Sequence, residues 1–190
     1  MRLAALAWLL AAAPYWEAKP PREWSPDELA RMFSESPWAQ ATAAGRTSAV
    51  SVPVTVFLAT AEPMKQAEAE ARRRAKVEPD PDYTDFLAAN EGKAIILAVR
   101  IDNPTALSDG EESRRMESES VLRAGRKKLR MMGHFPPSQA DPHLRLAYPR
   151  QVSPEDKKLV FEIYVPGVPS PYRAAEFALK DLAYRGAPAF

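Results

Sequence analysis

Asp141, His143 and His134 lie within ten residues of one another. Two imidazoles and a carboxylate are a donor set that holds zinc or iron. These three lack the i, i+4 spacing that places two histidines on one helix face. Asp141-Pro142-His143 instead has the form of a turn entering a strand, so neither a metal site nor a cofactor site is expected from it. The same two histidines are the only imidazole bases available to a nucleophile. The chain has no cysteine, and no G-x-S-x-G elbow presents a serine. His134 runs into Phe135-Pro136-Pro137, which reads as the exit of a strand. Asp80, Asp82 and Asp85 resemble a calcium loop, but Pro81 and the missing glycine and closing glutamate break that pattern. Helix capping accounts for Asp82 more simply. Glu162 and Glu176 fall on expected strands and can be imagined facing each other as the paired carboxylates of glycoside hydrolysis. A solvated strand face is the plainer reading, and no catalytic residue is assigned.

Two basic runs, 72–76 and 126–130, offer charge to phosphates or to an anionic envelope surface. In the first, Glu68 and Glu70 stand one turn earlier, facing Arg72 and Arg74 at i, i+4 spacing. The second lacks the interleaved aromatics on which single-strand binders stack bases. Lys and Arg number 26 against 25 Asp and Glu, for a net charge of +1. No specific nucleic-acid partner is expected from that balance. The tryptophans are the better candidates. Ser36-Pro37-Trp38-Ala39 follows the first capped helix, and Trp24 precedes it. Tryptophan beside proline makes a rigid apolar contact surface, and tryptophan is enriched at binding hot spots. Trp24, Pro37 and Trp38 are therefore the candidate contact for a protein or cell-envelope partner. The competing account folds Trp38 onto the sheet, where it locks the helix in place.

The elements that must position these residues follow from the pattern. Met1-Arg2, an apolar run of ten residues from Leu3 to Ala12 and the small residues Ala11-Ala12-Ala13 make the layout of a secretory signal. The run is shorter than the roughly 18 apolar residues of a membrane span. Residues 1–13 are read as the signal and 14–23 as an extended leader holding Pro20-Pro21. Residues 24–190 are read as a single domain. Pro14 disfavours a cut after Ala13, and Trp16 at the −3 position disfavours one after Ala18. The expected location is the periplasm or the cell exterior.

Ser25-Pro26-Asp27-Glu28 is a capping box with proline at the first helical position. That helix should end before Pro37. Residues 47–60 alternate as a strand, which Pro53 assigns to an edge or a bulge. Residues 63–76 form a helix with Met64, Ala67 and Ala71 as its apolar stripe. A second short helix has Asp82 as its cap and Gly92 as its terminator. Residues 94–99 are continuously apolar, which places that strand centrally. Residues 103–119 read as a loop with two helical turns, Ser108 and Glu111 forming their capping box. Paired strands flank Gly125-Arg126, and residues 143–148, 159–165 and 172–179 alternate as strands, with 182–184 extending the last beyond a break. The class is α+β: a mainly antiparallel sheet with two or three helices in the N-terminal half.

The segments Trp24-Ser25-Pro26-Asp27-Glu28 and Ser34-Glu35-Ser36-Pro37-Trp38-Ala39 resemble the start of a group of uncharacterised exported proteins common in acidobacteria. Ala147-Tyr148-Pro149-Arg150, Asp156-Lys157-Lys158-Leu159-Val160-Phe161 and the ending from Phe177 to Gly186 fit the same group. The resemblance implies export and one domain, and it carries no activity. This chain lacks the N-terminal cysteine for lipid attachment that some of the group carry. The function expected is that of a non-enzymatic binding or envelope-associated protein. A carboxylate-dependent hydrolase and a small-molecule or lipid carrier stand as alternatives.

Overall fold

The computed structural model describes residues 13–44, 53–100, 109–138, 141–168 and 170–190. Residues 1–12 of the expected signal, residues 47–52 of the expected first strand and Ser108 lie outside them. The class is α+β, in one domain, with five α-helices and eleven strands, mainly antiparallel, among the described residues. The helices are α1 (Tyr15–Ala18), α2 (Pro26–Met32), α3 (Glu62–Ala75), α4 (Pro81–Ala89) and α5 (Gly110–Glu119). The first strands are β1 (Ala39–Ala44), β2 (Val54–Leu58), β3 (Ala94–Arg100), β4 (Val121–Ala124) and β5 (Lys127–Arg130). Then come β6 (Gly133–Phe135), β7 (His143–Pro149), β8 (Lys158–Tyr164) and β9 (Tyr172–Ala178). β10 (Ala183–Tyr184) and β11 (Ala187–Pro188) make a small separate ladder.

Nine strands form one sheet in the order β5-β4-β8-β9-β1-β2-β3-β7-β6. Its two outer strands, β5 and β6, are joined only by Met131-Met132. Laid flat, nine strands at about 4.8 Å spacing would hold their edges roughly 38 Å apart. Three Cα–Cα steps reach at most about 11 Å. The sheet therefore curls until its first and last strands meet, and β5 and β6 act as one bent strand closing a barrel. The rings of Tyr148 on β7 and Phe161 on β8 confirm the curl, standing 5.5 Å apart although their strands are five places apart in the sheet.

Register decides which side chains fill the barrel. Leu97 on β3 pairs with Leu146 on β7 and with Leu58 on β2, and Val99 pairs with Leu144 and Val56. On the far side Leu159, Phe161 and Ile163 of β8 alternate inward. Each such side chain removed from water contributes about 1.5–3 kcal/mol before the entropy of ordering is counted. The opposite face of β2, β3 and β7 carries Phe57, Ala98 and Arg145 in one row, and α2, α3 and α4 lie over it. Phe33 after α2 meets Phe57 edge-on at 5.3 Å. β3 is thus covered on both faces, which is why it reads as an unbroken apolar run.

Several expectations need correction. β2 is an interior strand between β1 and β3, not an edge. Pro53 stands just ahead of Val54, where no ladder N–H is required of it. The leader is not extended: Tyr15–Ala18 is a helical turn and Pro21–Glu23 a 3-10 turn, both belonging to the domain. Its proline pair fits because Pro21 stands at the first position of a turn, where a missing N–H costs nothing. Asp80, not Asp82, caps α4 by accepting the Tyr83 N–H. Residues 110–119 form a full helix capped by Asp109. Ala183-Tyr184 pairs with β11 rather than prolonging β9. The capping box at Ser25 and Glu28 is formed as expected, and so is the turn at Gly125-Arg126 between β4 and β5. Gly125 has φ +57°, a left-handed conformation that favours glycine, and a Cβ there would displace the Asp156 carboxylate.

Candidate functional site

A buried set of ionisable groups is built on β7. Alternation sends Leu144 and Leu146 into the barrel and Arg145 to the helix-covered face. α3 lies over that face and presents Glu68, one turn after Met64 and in line with Ala71. α4, started by Pro81 and capped by Asp80, presents Tyr83 beside it. Asp141 stands four residues before Arg145, in the segment that leads into β7.

These groups close around the guanidinium, which is 2% exposed. Arg145 Nη2 donates to Glu68 Oε1 at 2.6 Å, and Nη1 donates to the Tyr83 hydroxyl at 3.1 Å. Nε donates to Asp141 Oδ2. The guanidinium carbon also lies 4.2 Å from the Tyr83 ring centroid, within range of a cation–π contact. The second Asp141 oxygen, Oδ1, accepts the His143 backbone N–H at 3.1 Å and stands 2.9 Å from His143 Nδ1. The His143 ring rests edge-on against Phe57 at 5.1 Å.

Burial alone would drive each of these groups neutral. It opposes the Arg145 cation, but the charge of Glu68 and the bonds to Asp141 and Glu68 outweigh it and raise the pKa. It also favours the protonated form of Asp141, yet hydrogen bonds from His143 and Arg145 hold that carboxyl well below the usual aspartate range. Burial prevails at Tyr83, whose phenol is pushed up to about 12 against the pull of Arg145. Arg145 thus stays a cation clasped between two carboxylates, and Tyr83 a neutral hydroxyl.

Chemically this is a clamp. A general acid paired with a nucleophile needs two carboxylates free to exchange protons. Here Glu68 and Asp141 are both spent on one arginine. The Asp141–His143 pair does resemble the orienting half of a catalytic dyad, because an acceptor at Nδ1 leaves Nε2 as the working nitrogen. Among the described residues no hydroxyl is hydrogen-bonded to that imidazole. No group of three histidine, aspartate or glutamate side chains among them is arranged to hold a metal ion. His134 is not part of the cluster. Its Nδ1 lies 3.2 Å from Glu117 on α5, and it opposes Leu146 rather than Arg145.

The other candidates are dispersed. Trp38 is fully buried and Trp24 nearly so, so neither presents the contact surface expected of it. Trp38 donates its indole N–H to the Ala189 carbonyl at 2.6 Å. It meets Trp16 at 6.0 Å and Tyr184 at 6.5 Å, both edge-on. The helical leader and the C-terminal tail cover it, which sequence periodicity does not reveal. Pro37 is half-buried beside it. Glu162 and Glu176 do not face each other. Glu162 opposes Ala174 and pairs with Arg123, while Glu176 pairs with Lys158, on a solvated face. In the first basic run, Arg73 and Arg74 hold Glu70, whose carboxyl the Arg73 bond draws down to about 2. Glu68 serves Arg145 and not Arg72. In the second, Lys127 is committed to the Gln151 carbonyl, Ser153 and Asp156.

Sequence reasoning missed Glu68, Tyr83 and Arg145. One signal was available: Glu68 sits in the Met64–Ala67–Ala71 stripe of α3, and a carboxylate on a buried stripe calls for a cation from elsewhere in the fold. Searches against protein-family models, curated proteins and solved structures find no match to this chain.

Proposed function

We propose that this chain acts after export, as a non-enzymatic protein that binds a protein partner in the cell envelope or contributes to envelope structure. One observation carries the reading. The carboxylates best placed for chemistry, Glu68 and Asp141, are both engaged by Arg145, so the most chemically equipped region is a structural clamp. The signal-like start and the resemblance to exported acidobacterial proteins support the location.

Burial of Trp24 and Trp38 moves the contact surface elsewhere. The outer face of β4, β8 and β9 is left uncovered by α2, α3 and α4, and α5 covers one end of it, where Arg115 and Glu112 lie on Tyr164. It carries Tyr172 at 53% exposure together with the exposed Arg123–Glu162 and Lys158–Glu176 pairs. An aromatic among charges of both signs suits a polar protein surface better than a lipid one. The test is retention of the purified protein on isolated cell envelopes, set beside a Tyr172→Ala, Arg123→Glu variant of unchanged circular dichroism. The variant should be retained several-fold less well. Equal retention would remove this surface. A hydrolase that uses the Asp141–His143 pair is the second reading. Turnover of an ester or glycoside panel that disappears in His143→Ala would establish it instead.

A further inference from the structure

The second basic run is only partly consumed by the ion pairs of the barrel. Exposure alternates along β5 and past its end. Lys128 and Arg130 face water, Leu129 between them is buried, Met131 is half-buried, and Met132 is exposed again. Arg126, in the turn before β5, is exposed as well. Two residues along a strand span about 6.7 Å. Neighbouring cations of this row therefore lie within one Debye length, about 10 Å in 0.1 M salt, and act as one field. The carboxylates beside the hairpin are spent on other cations. Glu162 holds Arg123, which stands opposite Lys128 in the ladder, and Asp156 holds Lys127. Among the described residues, Arg126, Lys128 and Arg130 pair with no carboxylate.

We infer that this row docks the protein on an anionic phospholipid bilayer, with Arg126, Lys128 and Arg130 against the headgroups and Met132 entering the layer beneath them. The inference goes beyond the protein contact proposed for the Tyr172 face and stands or falls separately from it. Charge complementarity selects an anionic surface, because the row carries one sign only. The Tyr172 face differs in that respect, mixing both signs. Met132 selects lipid among anionic surfaces. It is 48% exposed, and among the described residues only Tyr172 joins it as an exposed large apolar side chain. Its unbranched thioether is flexible and apolar, so it gains by leaving water for acyl chains. A highly charged polymer offers no such gain. A nucleic acid would call for aromatics between the cations, and the positions between them hold Leu129 and Met131, both packed on the core.

The experiment is partition of the full chain onto vesicles rich in phosphatidylglycerol, set beside vesicles of phosphatidylcholine alone. The apolar run 3–12 adds to binding on both, so the quantity read is the ratio of the two partition coefficients. Three cations near such a surface should favour the anionic vesicles roughly a hundred-fold at low salt, a preference that shrinks as salt is added. The combined Arg126→Gln, Lys128→Gln, Arg130→Gln variant, with unchanged circular dichroism, should lose nearly all of that preference. Lys128→Gln alone, a single exposed change, should lose about fivefold. In Met132→Trp the added indole emission should shift to the blue on anionic vesicles. A ratio near one for the unaltered protein, or an undiminished ratio in the charge variants, overturns the docking row. An unshifted Met132→Trp emission with the preference intact overturns the lipid assignment in favour of a bare polyanion site.

Discussion

The two sides of the barrel hold the same ion pair in opposite surroundings. On the helix-covered side, Arg145 meets Glu68 at 2.6 Å with both side chains under a tenth exposed. On the open side, Arg123 meets Glu162 at 2.8 Å with both close to half exposed. The geometry is nearly equal, so distance cannot rank them. What separates them is what each partner faces if the other is removed. Glu162 without Arg123 turns to water. Glu68 and Asp141 without Arg145 remain as largely buried carboxylates, and the cost of an unpaired buried charge exceeds the net worth of the pair.

The largest expected effect follows from that contrast. Arg145→Met should cost about 3–5 kcal/mol, measured as the shift in the urea midpoint at neutral pH. If that substitution proved neutral, the contrast between the two sides would collapse. Gly125→Ala tests the open side through its backbone rather than its charges. A left-handed φ together with the clash on Asp156 should cost about 1–3 kcal/mol.

The third prediction concerns pH. Asp141 has a depressed folded pKa, so its contribution is present above the ordinary aspartate range, near 4, and is lost as pH falls further. Tyr83 is raised to about 12 from 10, so its contribution is present below 10 and is lost as pH rises from 10 to 12. Denaturant titrations across both limbs should show Asp141→Asn flattening the acid limb and Tyr83→Phe the alkaline one. The smallest effect belongs to Arg123→Ala, expected to cost less than about 1 kcal/mol and to shrink further in added salt.

Much of the barrel was legible because its strands alternate. β7, β8 and β9 each set apolar residues two apart, and β3 is apolar from Ala94 to Val99. β1 was not legible, since Ala-Gln-Ala-Thr-Ala-Ala offers no contrast between faces. It becomes a strand because β2 and β9 pair with it on either side. Alternation also shows that a strand has two faces without showing what covers the second one. Leu144 and Leu146 were readable as inward for that reason. Arg145 was not readable as buried, because its cover is supplied by α3 and α4, some 60 to 77 residues away in the chain. Trp38 hid in the same way beneath segments from both ends of the chain.

That arrangement has a consequence for how the molecule is made. The indole of Trp38 is bonded to a carbonyl 151 positions downstream, and β1 finds its second neighbour only at β9. A ribosome delivers the N-terminal segment long before either partner exists. The core therefore cannot close while the polypeptide is still being made, and it waits for the segment around Ala189 to emerge and cover Trp38, just ahead of β1.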